Sequence, residues 1–88
     1  MRLTIRNNAT SGMIPIPAGE YWISLSHESG EIKLTAGGKD IRIKATRRRL
    51  QARTRVLNIQ LVSGGGRIWS LVISTPKHGE WVAFIEYE

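Results

Sequence analysis

The chain has 88 residues and a mass of 9.9 kDa, with 41% hydrophobic and 23% charged residues, no Cys and a formal net charge of +6. That length suits one domain over residues 1–88, because two halves would each be too small to bury a core. The hydrophobic content excludes a disordered chain, the lack of Cys excludes a disulfide framework and thiol chemistry, and no apolar run approaches the ~18 residues of a membrane span.

The chain opens with Leu3 and Ile5 alternating against Arg2, Thr4 and Arg6, which predicts a short first strand. Met1 to Asn7 lacks the apolar core of a signal peptide, so a cytoplasmic protein is expected. Residues 11–19 carry Pro15 and Pro17, which a central strand does not accommodate, and predict an extended connection. Glu20 to Ser26 predicts a second strand with Tyr21, Ile23 and Leu25 on one face and Trp22, Ser24 and Ser26 on the other.

The next two strands carry their own register. A two-residue Gly37-Gly38 loop sets Leu34 opposite Ile41 and Ile32 opposite Ile43, all on one face. A turn centred on Glu28-Ser29 sets Leu25 opposite Ile32 and Ile23 opposite Leu34, which continues the same apolar face. On the outer face Glu31 meets Lys44 and Lys33 meets Arg42, the second an unfavourable pair.

Charge then concentrates. Between Lys39 and Arg55 there are eight basic residues against Asp40 alone, so this segment carries +7 and the other 71 residues sum to −1. Five guanidiniums, Arg47, Arg48, Arg49, Arg53 and Arg55, fall within nine residues. Residues 45–52 also contain good helix formers, and strict alternation would point Arg53 and Arg55 into the core beside Leu57 and Ile59. A loop, bulge or helical turn is therefore expected between Arg47 and Val56. Arg42 and Lys44 would share an outer face with Arg48 if their strand continued.

Leu57, Ile59 and Leu61 start the second half. A three-residue Gly64-Gly65-Gly66 loop predicts pairing of Leu61 with Trp69, Ile59 with Leu71 and Leu57 with Ile73. Those glycines resemble a phosphate cradle ahead of Arg67, but no P-loop Lys-Ser/Thr pair follows, and a hairpin turn accounts for them better. A turn at residues 76–79 leads into a final strand, Glu80 to Tyr87, apolar on both faces, as expected of a central or covered strand. The count is about seven short antiparallel strands in an all-β fold, either a small barrel or a two-layer sandwich of SH3-like or OB-like size.

Catalytic chemistry is hard to find. His27 and His78 both fall in predicted turns, and no spacing offers metal ligands, so neither metal nor cofactor is expected. Ser26, His27, Glu28 and Ser29 contain triad residue types, but neighbours in a hairpin point apart, and no enzyme is expected.

Binding chemistry is richer. Guanidinium forks match phosphate oxygens, and an aromatic beside a basic stripe suits single-stranded nucleic acid. The leading reading is a binding module of low sequence specificity, DNA or RNA, with Arg42, Lys44, Arg47, Arg48, Arg49, Arg53 and Arg55 on phosphates and Trp22 on bases. A solvated loop, or one paired with the acidic C-terminal strand, is the plain alternative. A second class is an assembly module, a homo-oligomer through Val62, Ile68, Val72, Trp81, Ile85 and Tyr87 on the last strands. Finally, Arg49-Leu50-Gln51-Ala52-Arg53 resembles the Arg-x-x-x-Arg half of the PilZ cyclic-dinucleotide receptors. That family places the motif ahead of its barrel and follows it with Asp/Asn-x-Ser-x-x-Gly. Here it lies mid-chain, and Asn58 is followed by Gln60 and Ser63 at the Ser and Gly positions. The resemblance implies a small anionic nucleotide held by Arg49 and Arg53.

Overall fold

A computed structural model describes residues 2–49 and 56–88. Period-two patterning yields ten strands, with no helix among the described residues: β1 (Arg2–Ile5), β2 (Ala9–Ser11), β3 (Ile14–Ile16), β4 (Gly19–Ser26), β5 (Glu31–Ala36), β6 (Lys39–Lys44), β7 (Thr46–Arg48), β8 (Asn58–Ser63), β9 (Ile68–Thr75) and β10 (Gly79–Tyr87). They form two antiparallel sheets. The first runs β1-β4-β5-β6; the second runs β3-β2-β10-β9-β8, with β7 also paired to β10. Molecular extents of 34 × 32 × 20 Å give a thin slab, as expected of two sheets packed about 10 Å apart.

The inner faces hold the core. Leu3, Ile5, Tyr21, Ile23, Ile32, Leu34 and Ile43 come from the first sheet; Ala9, Ile16, Leu71, Ile73, Trp81, Ala83 and Ile85 come from the second. The Tyr21 hydroxyl donates to the Pro17 carbonyl, tying the proline-bearing segment to β4. Burial raises its pKa above the ordinary tyrosine value. The prolines sit where a sheet tolerates them: Pro15 lies in β3, an edge strand paired only to β2.

Registers of the first sheet follow the sequence arithmetic: Leu34 pairs Ile41, Ile32 pairs Ile43, Leu25 pairs Ile32 and Ile23 pairs Leu34. The triple-glycine hairpin departs from it. Leu61 pairs Leu71 and Ile59 pairs Ile73, two residues beyond the expected partners, with Ser63 opposite Trp69. Residues 64–67 form the loop, closed by the Gly64 N–H donating to the Ile68 carbonyl at 2.9 Å. A two-residue shift keeps every side chain on its face, so apolar matching does not resist it.

β10 is the central strand that its two apolar faces imply. β9 flanks one side along its length; on the other, β7 covers Glu80–Val82 and β2 covers Glu86–Tyr87. In the interval between β7 and β2, the Ser11 hydroxyl donates to the Phe84 carbonyl at 2.8 Å.

The basic segment breaks at Ala45 as well, ahead of the break expected between Arg47 and Val56, most of which lies outside the described residues. At Ala45 the chain leaves the first sheet and joins the second, and the Ala45 N–H donates to the Gly30 carbonyl at 3.2 Å. β7 then lies so close to the start of β10 that a Cβ on Gly79 would stand 2.5 Å from the Arg48 carbonyl oxygen. Gly79 has φ +78°, and so has Gly38, where a Cβ would meet nothing within 4 Å. Gly38→Ala should cost the left-handed backbone penalty alone, about 1–2 kcal/mol, and Gly79→Ala clearly more. Denaturant unfolding of both variants measures the difference, and equal losses would contradict the close approach of β7.

Candidate functional site

The arginine strip is divided by the crossover at Ala45. Arg42 and Lys44 lie on the outer face of the first sheet, in register with Lys33 and Glu31. Arg48 lies on the second sheet opposite Glu80, and its guanidinium donates to the Glu80 carboxylate at 3.3 Å. The expectation that Arg48 shares a face with Arg42 and Lys44 is therefore corrected. Its carboxylate partner is Glu80 on the C-terminal strand. Arg49 is exposed. Arg53 and Arg55 lie outside the described residues, as does most of the Arg49–Arg53 motif that resembles the PilZ receptors.

Arg47 takes a third direction. It pairs with Trp81, and its guanidinium carbon sits 4.8 Å from the centre of the Trp81 ring. His27, from the β4–β5 turn, meets the same ring edge-on at 5.3 Å, and its own ring lies 4.1 Å from that of His78 in the β9–β10 turn. Two turns that are distant in sequence thus cap one end of the core. Partial desolvation, then the nearby His78 and Arg47, lowers the pKa of His27 below the ordinary histidine value.

Trp81 and Ile85, expected at an interface between copies, are fully buried in the protein's own core. That correction follows from the second sheet layer: the inward row of β10 faces the first sheet. Val72 and Tyr87 are half-buried and Ile68 is exposed. A lysine at position 81 or 85 would bury a charge at a cost of several kcal/mol, a large share of a domain's usual ~5–15 kcal/mol.

Trp22 is exposed at 55%. Cross-strand rows build its surroundings on the outer face of the first sheet. Arg2, Trp22, Thr35 and Asp40 form one row, and Ser24, Lys33 and Arg42 form the next; Ser26, Glu31 and Lys44 form the third. The Arg2 guanidinium lies 4.8 Å from the Trp22 ring centre. Thr35 donates its hydroxyl to Asp40 at 2.9 Å. Lys33 and Arg42 oppose each other with no carboxylate in ion-pair reach among the described residues.

A cleft of about 440 Å³ opens elsewhere, at the mouth of the sandwich. Its lining includes Arg6 and Asn7 after β1, Arg67 from the β8–β9 loop, Leu61, and the rings of Trp69 and Tyr87. The two rings meet edge to face at 6.1 Å. The sequence reading weighed Arg67 only as part of a phosphate cradle that a hairpin turn explains better, and gave Arg6 and Trp69 no site role, because bringing the three to one cleft takes the packing of the two sheets.

Among the described residues, no group of three His, Asp or Glu side chains converges for a metal ion, and no helix is long and apolar enough to cross a membrane. The chain matches no protein-family model, no curated protein and no solved structure.

The histidine cap carries a pH dependence. His27 titrates lower in the folded chain than its ordinary value of 6.5, so the unfolded chain binds its proton first. Stability should be full above pH 6.5 and fall on acidification until the pH lies below the folded-state pKa. Thermal unfolding from pH 7.5 to 5 should show the decline, and His27→Asn should flatten it. An unchanged slope in that variant would place the effect elsewhere.

Proposed function

We propose that this protein is a non-enzymatic module that binds single-stranded nucleic acid with low sequence specificity, on the outer face of the β1-β4-β5-β6 sheet. One observation carries the reading: Lys33 and Arg42 form a directly opposed like-charge pair, with no carboxylate within ion-pair distance among the described residues, one row from the exposed ring of Trp22. Directly opposed like charges destabilise a sheet, and an anion between them reverses the sign. Phosphates along that row, with a base stacked on Trp22, would use both features, and Arg2 and Lys44 extend the cationic surface. Guanidinium and ammonium contacts to phosphate carry no base identity, hence the low specificity. The arginines of residues 47–55 contribute to the overall field that attracts a polyanion.

Binding to single-stranded DNA and RNA of mixed sequence should weaken steeply with salt. At ~0.7 of log–log slope per phosphate contact, a Lys33→Ala/Arg42→Ala variant should lower the slope by about 1.4 and weaken all sequences alike. Trp22→Ala should cost about 1–3 kcal/mol for the lost stack. All three side chains point away from the core, so the variants should remain folded. Unchanged affinity in both variants would sink the reading.

A second reading, self-association, is favoured by the outer face of the other sheet. Val62 and Phe84 flank Ser70 in one row, with Ile68 in the next, and Phe84 is exposed at 63%. A second copy would cover such a patch. If so, the chain should sediment as a dimer and Phe84→Lys as a monomer; a monomeric parent chain would end this reading.

A further inference from the structure

We infer that the cleft at the sandwich mouth is a nucleotide site, taking a planar base and an attached phosphate group. The inference stands apart from the Trp22 face. β1 and β8 each end their sheet and are not paired with each other, so the layers do not close there. The resulting opening holds about 440 Å³, within the ~300–1,000 Å³ of small-ligand sites.

Its walls differ in chemistry. Trp69 and Tyr87 end the inward rows of β9 and β10, and their edge-to-face contact at 6.1 Å leaves ring surface toward the cleft. The Leu61 side chain adds apolar wall. Arg6 and Arg67 supply two guanidiniums from different elements, and no carboxylate lines the cleft among the described residues. The lining is therefore cationic as well as aromatic. An apolar ligand would leave both guanidiniums without a counter-charge, whereas inorganic phosphate would leave the rings unused. A nucleotide satisfies both: the base packs against Trp69 and Tyr87, and the phosphate accepts from the forks of Arg6 and Arg67. The Asn7 side chain, which both donates and accepts, can reach a base edge or ribose hydroxyl.

The position of Arg67 is built into the loop. The Tyr87 N–H donates to the Arg67 carbonyl at 2.9 Å, which ties this residue to the last strand beside the aromatic pair. Being a backbone bond, it survives truncation of the side chain.

The same chemistry can come from a free mononucleotide or from the terminal nucleotide of a strand. Calorimetric titration of the full chain should use each nucleoside monophosphate, the nucleosides, inorganic phosphate, and a short oligonucleotide with and without a terminal phosphate. At least one monophosphate or the phosphorylated oligonucleotide should bind, with its nucleoside and inorganic phosphate each about tenfold weaker or more. Arg6→Ala and Arg67→Ala should each weaken it by about tenfold. Tighter binding by the phosphorylated oligonucleotide, displaced by a monophosphate, would assign a strand terminus; equal or weaker binding would assign a free nucleotide. Far-ultraviolet circular dichroism matching the parent chain confirms that each variant is folded. The inference is overturned if neither class binds at millimolar concentration, or if folded Arg6→Ala/Arg67→Ala binds like the parent chain.

Discussion

Strand β10 pairs with three other strands of its sheet, and its inward row packs on the opposite layer. It is hydrogen-bonded to β9 on one side and to both β7 and β2 on the other, and Trp81, Ala83 and Ile85 of that inward row are buried. Trp81 is the largest of those side chains, and its burial depends on groups from three separate segments: Arg47 over its ring, His27 at its edge and Ile73 opposite it on β9. Its indole N–H is buried with no hydrogen-bond partner, a polar cost accepted for the apolar area of the ring.

That arrangement dictates the charge geometry. β7 must leave the first sheet at Ala45 to reach β10, and in doing so it divides a continuous run of cations among three surfaces. Arg48 is neutralised by Glu80, Arg47 becomes a lid on a core tryptophan, and Arg42 stays behind with Lys33 and Trp22. A basic run in sequence is thus not a basic strip in space. The cations left without partners on the first sheet are the ones available to an anion.

Both proposed sites arise from incompletely used sheets. The first sheet has one solvated face, on which Trp22 is more than half exposed with Arg2 beside its ring. The cleft exists because the sandwich does not close between β1 and β8, leaving Trp69 and Tyr87 at an open end rather than inside a sealed core. A closed barrel of the same strands would have edges paired throughout and no such opening.

The β character, the inward faces and the hairpin registers of β4, β5 and β6 were all legible locally. Alternation has a period of two, and a tight Gly37-Gly38 turn admits one pairing. The placement of Trp22 on the face opposite the apolar row of β4 followed from the same parity, whereas its exposure depended on nothing packing over that face. The longer β8–β9 loop left its register open by two residues, since either choice buries the same side chains. Other features were not encoded in any window of sequence. Which layer covers the inward row of β10, where β7 docks, and that Arg6 and Arg67 line one cleft with two aromatic residues depend on contacts between residues far apart in the chain. Periodicity assigns each side chain to a face; only the packing of one sheet on the other decides what that face meets.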